Sequence, residues 1–210
     1  MGTPKDSEKT RARIIEAAGR LFAEKGFNGV KVRDIAREAE THLGALNYHF
    51  QTKQVLYREV LMAACLDASI SEKDQELLLQ LEPRQALYTL IAESIKDYRR
   101  QTTSNWQSIL LMRECLEPSD VFSEVVDAYF KPLTSFTAGL IGRIVDKPAD
   151  DPRVQFAVIG LIALLDMFGE YEHLVDAVTP GLTEHLKKKN RLERQILDIV
   201  LEMASTSEDA

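Results

Sequence analysis

Apolar positions in the N-terminal quarter of the chain recur with helical periodicity. In KVRDIAREAETHLGALNYHFQTKQVLY, residues 31 to 57, Val32, Ile35, Ala36 and Ala39 fall at i, i+3, i+4 and i+7, which predicts a short helix with one narrow buried stripe. The pattern breaks at residues 40 to 42, and a second helix is expected from about Leu43 to His49. Leu46 and Phe50 turn inward on it, leaving Leu43, Gly44, Ala45, Asn47, Tyr48 and His49 for other work. Upstream, Ile14, Ala18, Leu21 and Phe22 form one face of a first helix, with Gly26 as its stop and Phe27 packed beneath. Ser7 or Thr10 is the expected cap at its start. Two short helices on a tight turn make a helix-turn-helix unit, whose second member enters the DNA major groove.

Beyond residue 54 the pattern stays helical, without a credible strand. Segments are expected from Gln54 to about Leu81, Arg84 to Gln101, Asn105 to Leu116, Val121 to Val145, Arg153 to about Val178, and Gly181 to Ala204, with a frayed tail STSEDA. Pro132 should kink or split the fourth of these, because it removes one backbone bond and clashes with the preceding turn. The architecture read from this is all-α: a three-helix head over residues 1–53 and a larger helical body over 54–210. QFAVIGLIALLDMFGEY is nearly continuous apolar sequence, yet too short and too interrupted by charge to span a membrane. A helix apolar on more than one face must be covered on more than one face. With the last helix, it is the candidate surface for a homodimer built as a four-helix bundle.

Charge sharpens the division. The net charge of −7 argues by itself against nucleic acid. Residues 1–60 nevertheless hold eleven Lys and Arg against eight Asp and Glu, a balance of +3, while the remainder stands at −10. A basic head on an acidic body orients the molecule toward phosphates. The N-terminal sequence MGTPKDSEKTR lacks an apolar signal segment, and the two cysteines, Cys65 and Cys115, lack metal-ligand spacing and read as buried free thiols, which fits the cytoplasm. No G-x-S-x-G, P-loop or H-E-x-x-H pattern is present, and the four histidines form no ligand set, so neither an enzyme nor a cofactor is expected.

The order of GF, RDIA, YHF and K followed by LY makes the segment from Thr10 to about Tyr57 resemble the DNA-binding head of the TetR family of bacterial transcriptional regulators. That resemblance implies a dimer whose two heads meet successive major grooves, about 34–36 Å apart, on a double-stranded operator with inverted-repeat symmetry. It also implies site residues. Arg33 reaches the groove or its edge; Leu43, Gly44 and Ala45 open the recognition helix and face base edges, with Ala45 able to meet a thymine methyl. Asn47 is the best direct reader, through an amide that pairs with adenine. Tyr48 and His49 are expected on the backbone, Lys53 as a phosphate anchor, and Lys9, Arg11 and Arg13 as further phosphate contacts. Two departures matter. Lys31 replaces the usual capping Ser or Thr, and Glu40, Thr41 and His42 stand where the turn usually has Gly, Val and Ser, so Lys31 and His42 join the candidate contacts while the operator sequence stays open.

MRECLEPSDVF, the later FKPL and the NYHF of the recognition helix are similar to the CecR-like (YbiH-like) branch, which implies an effector from antibiotic or efflux biology. Candidate residues for a small hydrophobic effector are Tyr98, Trp106, Met112, Arg113, Phe122, Tyr129, Phe136 and Phe168; the alternative is that they are plain core. The expected function is a dimeric repressor released by that effector, with the helix from about Gln54 transmitting the change. A DNA-binding accessory protein without an effector is the alternative reading.

Overall fold

The computed structural model describes residues 4–100 and 106–206, and every regular element among them is helical, as the sequence predicts. In order these are α1 (Pro4–Gly29), α2 (Val32–Glu38), α3 (Leu43–Phe50), α4 (Lys53–Ala68), α5 (Glu72–Leu79), α6 (Pro83–Arg100) and α7 (Trp106–Leu116). There follow α8 (Phe122–Val125), α9 (Lys131–Val145), α10 (Pro152–Phe168), α11 (Glu172–Val178), α12 (Leu182–Lys187) and α13 (Arg191–Ser205). The expected helix ends at Gln101 and Asn105, and most of the expected frayed tail, lie outside the described residues.

The helices form two compact units. One draws on the described residues of Met1–Ser69 and Thr103–Pro132, so α4, α7 and α8 join the first three helices. Its core holds Ile14, Phe22, Ile35, Leu46, Phe50, Leu56, Leu61 and Leu110, each no more than 1 % exposed. Burying a side chain of this size contributes about 1.5–3 kcal/mol, so the short α2 and α3 are held by packing, not by their own propensity. α1 begins at Pro4, whose missing amide hydrogen suits a first turn. Ser7 and Thr10 therefore lie inside the helix; Thr10 does not cap it but donates its hydroxyl to the Asp6 carbonyl at 2.9 Å. Gly26, with φ 70°, breaks the helical path where the sequence places a stop.

The second unit draws on Ile70–Thr102 and Leu133–Ala210. Its larger cluster packs Leu87, Ile91 and Ile95 of α6 with Ala138 and Ile141 of α9, Val154, Val158 and Leu161 of α10, and Ile196, Val200 and Ala204 of α13. Three expected long helices are interrupted. Ser71, whose hydroxyl accepts from the Asp74 amide at 3.1 Å, starts α5 afresh after α4. Gly169 ends α10, and α11 leaves at a 75° bend. Lys189 and Asn190 both take positive φ between α12 and α13. At Pro132 the predicted disruption is present: residues 126–130 form a π-type turn directly before α9. Wider i→i+5 bonding is what a helix adopts where the regular ladder is interrupted.

α10 buries Val154, Ala157, Val158 and Leu161 but leaves Phe156 65 % and Ile159 60 % exposed, with Met167 also in solvent. One face of this helix is uncovered within the chain. No single helix among the described residues is long and apolar enough to cross a membrane, although the bent pair α10 and α11 passes that test jointly by length and composition.

Candidate nucleic-acid interface

α2 starts at Val32 with Lys31 as its N-cap residue, and Lys31 makes no side-chain capping bond. The missing Ser or Thr is thus felt locally. Arg33, in the first turn, is exposed, whereas Arg37 is held by Asp34 at 2.9 Å. The turn that follows keeps a left-handed residue although no glycine is available: Glu40 adopts φ 47°. That conformation costs a non-glycine residue about 1–2 kcal/mol. The Glu40 amide donates to the Arg37 carbonyl at 3.1 Å and the Thr41 amide to the Ala36 carbonyl at 2.9 Å, which helps to offset it.

α3 then presents two distinct faces. Leu46 and Phe50 are each 1 % exposed and lie in the core. Tyr48 is 78 % exposed and Leu43 42 %, with Gly44 and Asn47 also exposed and Ala45 and His49 half-buried. The Tyr48 and His49 rings meet edge to face, their centroids 5.2 Å apart. His42 takes a role its sequence position did not announce: it is the N-cap of α3, its Nδ1 accepting the Ala45 amide at 3.0 Å. Asn, Asp, Ser and Thr are the usual caps, so composition gave no signal for it.

After α3 the backbone reverses through Gln51 at φ 55°, and the Thr52 hydroxyl caps α4 by accepting from the Val55 amide. Lys53 follows, its Nζ 4.3 Å from the centre of the Phe27 ring, and partial burial lowers its ammonium pKa. Of the three basic candidates on α1, Lys9 and Arg13 are exposed. Arg11 is committed internally: it pairs with Glu59 at 2.5 Å and stands 5.4 Å from the Phe50 ring centre.

The same unit holds a polar scaffold, joining α7 to α1 and α4, that sequence reasoning did not find. Glu114 is fully buried on α7; its Oε2 accepts from the Tyr57 hydroxyl at 2.8 Å and its Oε1 from the Ser119 amide and hydroxyl at 2.8 and 2.7 Å. Burial, then the bond to Glu114, raises the Tyr57 pKa. Arg113 donates to the Ala23 and Glu24 carbonyls near the end of the regular part of α1. Trp106 donates its indole N–H to Glu16 at 2.9 Å and lies so close over Gly19 that a Cβ there would sit 2.4 Å from the ring.

The eight effector candidates divide between the units. Trp106, Met112, Arg113, Phe122 and Tyr129 belong to the first, where Trp106 and Arg113 are bonded to α1. Tyr98, Phe136 and Phe168 belong to the second. There Tyr98 donates to Asp166 at 2.7 Å and its ring lies against Gly169, while Phe136 packs on the small cluster of Leu78, Ala86 and Leu140. An open cleft of about 560 Å³ in that unit is lined by residues of 139–149 and by none of the eight. Among the described residues no group of three or more His, Cys, Asp or Glu side chains is arranged to hold a metal. Cys65 is buried, with its thiol pushed up to about 11 by desolvation, but Cys115 is exposed, which corrects the expectation that both are buried.

The pattern described as bacterial regulatory proteins, tetR family, matches residues 14–60, and that of the C-terminal domain of the HTH-type transcriptional dual regulator CecR matches residues 83–205. The HTH-type transcriptional regulator PksA of Bacillus subtilis is 24 % identical over 169 residues, covering 77 % of this chain and 82 % of PksA. The HTH-type transcriptional repressor NicS of Pseudomonas putida is 32 % identical over 87 residues, 41 % of this chain and 40 % of its own length. Among solved structures, HlyIIR, a hemolysin II transcriptional regulator, superposes with a TM-score of 0.65 at 17 % identity over 92 % of this chain and 97 % of its own. NalD, the secondary repressor of the MexAB-OprM multidrug efflux pump in Pseudomonas aeruginosa, superposes with a TM-score of 0.56 at 22 % identity over 97 % and 100 %.

Proposed function

Because this chain belongs to the TetR family of bacterial transcriptional regulators, with a C-terminal domain of the CecR type, we propose that it is a cytoplasmic dimeric repressor that a small hydrophobic effector releases from an inverted-repeat operator. Members of the family are DNA-binding regulators and not enzymes. The observation that carries the reading is the two-sided α3: Leu46 and Phe50 anchor it while Leu43, Gly44, Asn47 and Tyr48 stand outside. Residues 1–53 serve as the DNA-reading head and 54–210 as the body that dimerises and takes the effector.

In this reading Leu43, Gly44 and Ala45 lie against base edges, and Asn47 pairs with a base, since an amide matches adenine in the major groove. Arg33, Lys31, His42, Tyr48, His49 and Lys53 set register on the phosphates and groove edge. The uncovered face of α10, with Phe156 and Ile159 exposed three residues apart, supports pairing with a second copy, because exposed large apolar side chains on one helix face favour burial. An effector that prefers one head spacing weakens operator binding in proportion to its preference between the two states.

Selection of fragmented genomic DNA by the purified protein at near-physiological salt tests the proposal. Enrichment of a short inverted repeat is expected. Recovery of no preferred sequence, or a preference lost with a modest rise in salt, overturns it.

A further inference from the structure

The cap at the start of α3 is chemically unusual. A backbone amide only donates, so the Nδ1 that receives the Ala45 N–H at 3.0 Å must present its lone pair. The His42 imidazole is therefore neutral in this geometry and carries its proton on Nε2, on an exposed side chain. Gly44 belongs to the same device: a Cβ there would lie 3.2 Å from Nδ1, so a larger residue crowds the ring that makes the cap.

We propose that His42 is a positioning residue for operator recognition, holding the start of the recognition helix only while its ring is unprotonated, so that sequence-specific binding weakens as the ring takes up a proton. The inference rests on the reading above that α3 lies in the major groove. A protonated ring turns an N–H toward the Ala45 N–H, which abolishes the bond. It also sets a positive charge at the positive end of the helix dipole. Both effects have the same sign, and both act on the turn that carries Leu43, Gly44 and Ala45. Histidine is the side chain whose ordinary charge change falls between about pH 5 and 8.

Other charged groups lie on the elements that pack against α3. On α2, Arg37 is held by Asp34, while Lys31, Arg33, Glu38 and Glu40 are exposed around the turn. From α1, Arg11 is paired with Glu59, and from α4, Lys53 sits over Phe27. His49, on α3 itself, lies against Tyr48 at the other end of the helix. One term opposes the proposal: positive charge near phosphates strengthens binding to any duplex. It applies equally to selected and scrambled sequence and cancels in their ratio.

The test measures affinity for the duplex enriched from genomic DNA and for a scrambled duplex, between pH 8 and 5.5, with wild type, His42→Asn and His42→Ala. Asparagine caps well without titrating. The ratio of selected to scrambled affinity should fall about five- to tenfold on acidification for wild type, the effect of losing an N-cap. It should stay level for His42→Asn and be low at every pH for His42→Ala. Nitrogen-15 spectra of the free protein at pH 8 should show the His42 proton on Nε2. Parallel profiles for wild type and His42→Asn, or a proton found on Nδ1, overturn the proposal while leaving the regulator reading intact. Failure to enrich any duplex overturns both.

Discussion

Two glycine-to-alanine substitutions should move stability in opposite directions, although both fall inside helices. In α1 a Cβ on Gly19 would lie 2.4, 2.5 and 2.6 Å from three carbons of the Trp106 ring, against an ordinary contact of about 3.5–4 Å. The ring must retreat by about 1 Å. It is 4 % exposed and tethered through its N–H to Glu16, so it has little room to do so. Overpacking of this kind costs about 1–3 kcal/mol, and strain on the indole bond adds to it. The better helix propensity of alanine returns about 1 kcal/mol. Gly19→Ala should therefore lose about 1–2 kcal/mol net. In α9, a Cβ on Gly139 meets nothing within 4 Å, and Gly139→Ala should gain about 0.5–1 kcal/mol. Urea unfolding separates the two, since Trp106 is the only tryptophan and its emission reports the first unit, while far-ultraviolet circular dichroism reports both. A Gly19→Ala midpoint equal to wild type with unchanged emission would refute the steric argument.

Further expectations concern the pH response, the DNA and the assembly. The Tyr57 pKa is raised in the folded state, so its contribution to stability is fully present below the ordinary phenol value of about 10 and is lost as pH rises from there toward the folded value. Tyr57→Phe should lower stability at pH 8 by about 1–3 kcal/mol, because Glu114 loses a buried donor, and should flatten the loss between pH 9 and 11; an unchanged slope there counts against it. Asn47→Ala should cut affinity for the selected duplex by about 1–3 kcal/mol with little effect on a scrambled one, whereas Lys53→Ala should weaken both and lower the salt slope by about 1. Equal losses for both variants on both duplexes would reverse the assigned roles. Phe156→Glu should leave the melting of an isolated chain intact but shift sedimentation toward monomer; an undisturbed dimer would move the interface off α10.

Much of the head was legible because its elements are short and each is settled by two or three buried side chains. Leu46 and Phe50 fix the rotation of α3 by spacing alone, and Gly26 marks a break that only backbone freedom demands. The interruptions after α4, α10 and α12 were not legible, since continuous apolar periodicity conceals a cap such as Ser71 or a bend such as that at Gly169. The partners of Trp106 and Arg113 are hidden for a different reason. An aromatic or guanidinium in a helix pattern says that it packs, not against what, and their partners Glu16, Ala23 and Glu24 lie some ninety residues away in sequence. The cap by His42 depends on how one ring is turned, which no spacing encodes.

The interleaved ownership of the chain bears on synthesis. The first unit begins at the N-terminus, yields the chain to the second after Ser69, and regains it for α7 and α8 before giving it up after Pro132. Its core needs Trp106, Leu110, Leu111 and Val125 as much as Phe22 or Leu61. A nascent chain that has released α1 to α4 from the ribosome thus carries apolar surface with no local cover until roughly sixty further residues have been translated, about 3–12 s at bacterial elongation rates. During that interval the part destined to read DNA is the part most exposed to chaperones and proteases, and a gene fragment ending after α4 would encode that vulnerable state permanently.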